Sequence, residues 1–176
     1  MNEVLKAIEA RSSTRGYTKE RLTDEELNIL LTAGLQAPTA ANRPEVHITA
    51  LRGDDPILAE IEAEMRAGMD RQWPQTNFYY DAPTVLILSA DAAFPWGALD
   101  AGIMVENIAI AAEGIGLGSL IIGIIKKALT GERAAEFAEK LRFPEGYAFQ
   151  IAIAVGHKAT AKAPHEYSFE KSVTVL

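Results

Sequence analysis

Cysteine is absent from the 176 residues, which removes disulfides and thiolate chemistry and leaves the compartment open on that criterion. Histidine is nearly absent. His47, His157 and His165 are scattered, with no HExxH or similar spacing, so a metal centre is not expected. Positive charge is in deficit, with 17 Lys and Arg against 24 Asp and Glu for a net charge of −7. A broad basic face for nucleic acid is therefore excluded. Long uninterrupted apolar runs are missing too. The most apolar region, 99–125, carries Asp100, Glu106, Asn107 and Glu113 and is broken by glycines, so it reads as core and not as a membrane span. The opening MNEVLKAIEA has acidic residues and no long apolar stretch, unlike a signal peptide. The default expectation is a cytoplasmic protein. No serine sits in a GxSxG elbow, and no serine, histidine and carboxylate fall together. Asp100, Glu106 and Glu113 read as polar-face or helix-end residues, not as an acid/base pair. Side chains do not supply the reactive groups here.

What is present is an ordinary globular composition, 48% apolar and 23% charged, long enough for one domain spanning 1–176 with a sizeable core. Val4, Leu5 and Ile8 share a helical face, predicting a short helix over 2–11. Thr23-Asp24-Glu25-Glu26 is a capping box, followed by Leu27, Leu30, Leu31 and Leu35 at helical spacing, with Pro38 marking the end. Val46 to Leu51 reads as a strand, and Asp55-Pro56 opens a helix bearing Ile57, Leu58, Ile61 and Met65. VLILSA, 85–90, suits a strand buried on both faces. An alanine-rich helix is expected over 95–114, then a glycine turn and the strand SLIIG, then a helix around Glu132 to Leu141. In YAFQIAIAVG, Phe149, Ile151, Ile153 and Val155 alternate with smaller or polar residues, as in a strand. SVTVL at the end reads as a short strand without a neighbour in sequence. The class is α+β, with no repeat and no linker.

Gly114, Gly116 and Gly118 invite a dinucleotide-binding reading, but that fingerprint needs a strand before the glycines and a helix after them. The order here is reversed, so a helix stop and tight turn is the better reading. RSSTRGY, 11–17, is more informative. Arg11, Ser12, Ser13 and Arg15 combine guanidinium forks with short hydroxyl donors, the set that best holds a phosphate monoester dianion. On that stretch alone, a solvated helix end with incidental serines fits as well.

Read together, the motifs resemble the FMN-dependent nitroreductase family over nearly the whole chain. RSSTRGY is similar to its N-terminal Arg-x-Ser-x-Arg/Lys-x-aromatic element, and APTAAN, 37–42, to its Ala-Pro-Ser/Thr-x-x-Asn signature. DAPTVLI, 81–87, resembles its central strand. AGIMVENIAIAAEGIGLGSLIIG, 101–123, resembles its core helix and glycine turn, and AIAVGHKATAKAPH, 152–165, its last strand and basic tail. The resemblance implies a mostly antiparallel central sheet flanked by helices. It also implies a homodimer with two FMN molecules at its interface and the C-terminal strand exchanged onto the partner, which would give SVTVL a neighbour.

Carried over, Arg11, Ser12 and Ser13 match contacts to the flavin phosphate and ribityl chain, and Arg15 a basic position near the phosphate or the N1–C2=O edge. Pro38, Thr39 and Asn42 match the wall that the partner chain supplies. Ile122-Gly123 matches the backbone donor near N5. Lys162 is the candidate for the late basic phosphate ligand, with Lys158 behind it. The family often continues its second signature as Asn-Arg-Gln-Pro-Trp, whereas this chain has Arg43-Pro44-Glu45-Val46. The usual contact to the flavin's pyrimidine edge is therefore altered.

The activity implied is ping-pong transfer of hydride or electrons from NAD(P)H through FMN to a nitroaromatic, quinone or flavin, the cofactor carrying the chemistry. Trp73, Phe78, Tyr79, Tyr80 and Trp96 are candidates for the acceptor pocket or for packing. A flavin carrier or redox sensor without turnover is the alternative.

Overall fold

The structure is a computed structural model that describes residues 2–69, 77–163 and 166–176. Its centre is a four-stranded, wholly antiparallel sheet in the order β1-β2-β4-β3, formed by β1 (Val46–Arg52), β2 (Thr84–Asp91), β3 (Leu117–Ile122) and β4 (Tyr147–His157). Helices α1 (Glu3–Ala10), α2 (Asp24–Leu35) and α4 (Gly97–Gly114) pack together on one face. The other face carries α3 (Pro56–Ala67), α5 (Lys126–Thr130) and α6 (Ala134–Lys140). A short helix, α7 (Phe169–Ser172), stands near the C-terminus.

β2 is buried from Thr84 to Ala90, because helices cover both of its faces. Val85 and Ile87 meet Ile61, Leu129 and Phe137 on one side. Leu86 and Leu88 meet Leu30, Met104 and Ile108 on the other. Period-two reading puts Phe149 on the same face as Ile153 and Val155, and here the structure differs. Leu88 opposes Ile151 while Ser89 opposes Phe149, so Gln150 is an extra residue in β4. That bulge inverts the alternation, and Phe149 joins Ala152 and Ala154 on the α3/α5/α6 side.

The capping box is present. Thr23 Oγ1 accepts from the Glu26 amide at 3.2 Å, and a Glu26 carboxylate oxygen accepts from the Thr23 amide at 2.8 Å. Thr23→Ala should cost about 1 kcal/mol and lower Tm by about 2–4 °C for a chain of this length, read by thermal melts. The Thr23 backbone donor, more than any other group, holds the Glu26 carboxyl below its usual range. Its stabilisation is present above the ordinary carboxylate pKa, about 4.3, and is lost as pH falls through the depressed value. That backbone donor survives in Thr23→Ala, so wild type and variant should both lose this contribution as the pH falls.

Two expectations need correction. Val4, Leu5 and Ile8 do form a helical stripe, but it is exposed, and the small Ala7 is what α1 buries. SVTVL is not a strand: Ser172 ends α7, and 173–176 pair with no strand among the described residues. Val173 is extended (φ −128°, ψ 134°) and exposed. A strand exists only through its ladder, and among the described residues the tail pairs with none of this chain's strands.

Candidate functional site

RSSTRGY forms a strap fastened to the sheet at both ends, so the solvated-helix-end reading does not hold. α1 stops at Arg11, whose amide donates to Ala7 O at 2.9 Å. Ser13 bridges Ser119 of β3, and the Thr14 amide donates to Ser119 O at 2.9 Å. Farther on, Tyr17 bridges Lys158, and Thr18 N donates to His157 O at 2.9 Å. Gly118 permits the close approach, since a Cβ there would lie 2.5 Å from Thr14 Oγ1. Gly116, at φ 83°, closes α4 in the left-handed region, as the reversed order of elements predicts. The Tyr17 hydroxyl donates to Thr14 O and Ala154 O at 3.2 and 3.4 Å, and burial pushes its pKa upward.

Thr14 is the residue the strap buries, which leaves Arg11, Ser12, Ser13 and Arg15 half-buried or exposed. The Ser12 and Ser13 hydroxyls have no hydrogen-bond partner among the described residues. Arg11 Nε lies 3.5 Å from a Glu106 carboxylate oxygen on α4. That contact leaves the two terminal nitrogens of its fork free.

Because the Ser119 carbonyl is taken by the strap, alternation along the ladder turns the backbone groups of Ile121 toward the same outer edge, and Gly123 follows at the end of β3, its carbonyl accepting from the Lys126 amide at 3.0 Å. Next to that edge is a cavity of about 130 Å³ lined by Arg15, Phe78, Tyr80, Ile121, Ile122 and Gly123, among others. The Arg15 guanidinium sits 5.8 Å from the Tyr80 ring centroid. The structure thus unites Arg15 with Ile122 and Gly123 around one cavity, with Ser12 and Ser13 earlier on the same strap.

Pro38, Thr39 and Asn42 are placed elsewhere. They flank or form the 3₁₀ turn Ala40–Asn42, whose first amide, from Ala40, lies 3.1 Å from both oxygens of Asp100 on α4. Among the described residues no hydrogen bond or ion pair joins this turn to the strap or to Gly123. Lys162 is exposed and unpaired among the described residues. Lys158 is tied to Glu113 at 2.7 Å, which leaves Lys162 as the free cation of the two.

The unusual segment after Asn42 closes on itself. Arg43 pairs with Glu45 at 2.6 Å and stacks 4.7 Å from the Phe94 ring centroid, while the Tyr147 hydroxyl donates to Glu45 at 3.4 Å. Burial and the neighbouring Glu45 raise the Tyr147 pKa.

Of the aromatic candidates, Phe78 and Tyr80 border the cavity. Tyr79 is core, with its hydroxyl on Leu58 O at 3.4 Å, and Trp96 is exposed at the start of α4. Trp73 and His165 lie outside the described residues. Sequence reasoning missed Glu106 beside Arg11 and the carboxylate of Asp100, which is buried and not on a polar face. Neither residue has a local signal, since each role depends on a segment distant in sequence.

A four-stranded antiparallel sheet between two helical layers, with a cationic strap crossing one end, defines the class. The match to the nitroreductase family covers residues 8–157, and the chain belongs to that family. A nitroreductase from Desulfitobacterium hafniense solved with bound FMN superposes with a TM-score of 0.90 at 32% identity, over 100% of this chain and 99% of that one. A second, from Bacteroides fragilis and also with bound FMN, gives 0.88 at 26% identity, over 100% of each. Among relatives in sequence, the FMN reductase [NAD(P)H] of Bacillus subtilis is 28% identical over 93% of this chain and 70% of its own length.

Proposed function

We propose that this protein is an NAD(P)H-dependent oxidoreductase that works through bound FMN and reduces an electron-poor acceptor. Its family membership and the FMN held by its structural neighbours support the cofactor. The observation that carries the reading is the single cavity wall on which Arg15 meets Ile122 and Gly123, at the end of a strap whose Ser12 and Ser13 hydroxyls are unpartnered among the described residues.

The donor set fits FMN. A phosphate dianion calls for guanidinium forks and hydroxyls, which Arg11, Ser12 and Ser13 offer, with Lys162 as an exposed cation from the tail. The pyrimidine edge of a flavin calls for a positive charge, which Arg15 supplies, and N5 for a backbone donor, which Gly123 supplies. When bound, FMN supplies the redox chemistry, a relay between NAD(P)H and a nitroaromatic, quinone or second flavin that alternate at one face.

No hydrogen bond or ion pair among the described residues ties Pro38, Thr39 or Asn42 to the strap of their own chain, which fits their serving the site of a second copy in a homodimer. Exposed apolar side chains on the α1/α2/α4 layer, including Leu5, Ile8, Leu35 and Leu99, give that copy a surface to cover.

Purified protein should be yellow, release FMN on denaturation, and oxidise NAD(P)H steadily once a quinone or nitroaromatic is added. Protein that takes up no FMN would overturn the proposal. Flavin bound without acceptor-dependent oxidation would make it a carrier or redox sensor instead. Arg15→Ala should lower the flavin's reduction potential by about 20–60 mV, equivalent to about 1–3 kcal/mol for a two-electron couple. A loss of affinity at unchanged potential would move Arg15 to the phosphate.

A further inference from the structure

The turn that carries Thr39 and Asn42 is held by a buried charge. Asp100 is 1% exposed, and both its oxygens lie 3.1 Å from the Ala40 amide. No other donor reaches this carboxylate among the described residues. A buried carboxylate with one hydrogen bond is costly. Asp100 lies in the first turn of α4, where the helix dipole favours negative charge and offsets part of that cost.

The segment it holds is not one that would keep its shape unaided. Ala41 and Asn42 have φ of 54° and 55°, two successive left-handed residues with no glycine between them. The turn's own bonds, Asn42 N to Thr39 O at 3.1 Å and Arg43 N to Ala40 O at 3.2 Å, close it locally but do not tie it to the body of the protein. The Ala40–Asp100 bond does. With the backbone held, Thr39 and the exposed Asn42 are left with side chains that no described residue engages.

We propose that Asp100 is a positioning residue, locking Ala40 so that Thr39 and Asn42 are presented to the flavin of a second copy of this chain. The proposal rests on the flavin reading given above. Asp100 itself touches no cofactor and acts through the turn, so its loss should leave the strap and the Gly123 edge intact.

The test compares wild type, Asp100→Ala and Asp100→Asn by amide hydrogen exchange without cofactor, FMN titration, and visible circular dichroism of the bound flavin. In Asp100→Ala, exchange at Ala40 should quicken by about tenfold or more, while the amides of 105–112 in α4 stay protected. FMN affinity should fall by about tenfold, the size expected for one charge-assisted hydrogen bond, and the flavin dichroism should change. Asp100→Asn keeps a neutral acceptor and should fall in between, and it decides the matter by the same readouts if the alanine variant does not fold. Unaltered exchange at Ala40 would overturn the proposal. So would faster exchange with FMN affinity and dichroism like those of wild type. Wild-type protein that binds no FMN would instead overturn the flavin reading, and the exchange result would then stand as a separate finding on the turn.

Discussion

Replacing Arg11 with alanine should weaken FMN binding by about one to two orders of magnitude and leave the fold in place. A charge-assisted hydrogen bond is worth about 1.5–3 kcal/mol, and each 1.4 kcal/mol is about tenfold in Kd. Little of that loss should appear as instability. The Arg11 side chain is 23% exposed, and its ion pair is a 3.5 Å contact to the half-exposed Glu106, of a kind that contributes about 0–1 kcal/mol. The bond from its backbone amide to Ala7 survives the substitution, so α1 still ends where it does. Fluorescence titration of cofactor-free protein, with a thermal melt alongside, separates the two effects. FMN affinity equal to wild type would remove Arg11 from the phosphate site.

Truncation after Ser168 should weaken the proposed homodimer by about two to four orders of magnitude. The segment removed holds Phe169, Val173, Val175 and Leu176, all exposed in the single chain. Full burial of such a side chain is worth about 1.5–3 kcal/mol, so partial burial of four against a second copy reaches the stated range. The extended backbone at Val173 is ready to join a sheet edge, and its amides need one. In the proposed interface site, FMN held by both copies would stabilise the assembly by mass action, so added FMN should partly restore the truncated dimer. Sedimentation of both forms with and without FMN is the measurement. Full-length protein that is monomeric at micromolar concentration while holding FMN would sink the interface site. A truncated form that dimerises like the parent would sink only the strand exchange.

The elements legible in the sequence are those whose cause is local. The capping box places α2, the continuous apolar run places β2, and the reversed order of glycines and strand places the α4–β3 turn. Each of these signals is read within a few residues of where it acts. The residue types of RSSTRGY supply guanidinium and hydroxyl donors in one short stretch, and five motifs in order point to the family.

The remaining features needed the chain folded. Nothing in YAFQIAIAVG marks Gln150 as the extra residue, because a bulge is a relation between two strands. Fastening the strap required Ser119 and His157 to arrive beside it, and grouping Arg15 with Gly123 required β3 to run along its edge. Asp100 could not be told from a surface acid, since its partner amide is sixty residues away. Sequence by itself determined the longer helices, the four strands of the sheet and the donors, because propensity, capping and side-chain chemistry act over one or two turns. Tertiary structure alone decided which donors share a wall and which carboxylate is buried, because both depend on long-range packing that no local pattern encodes.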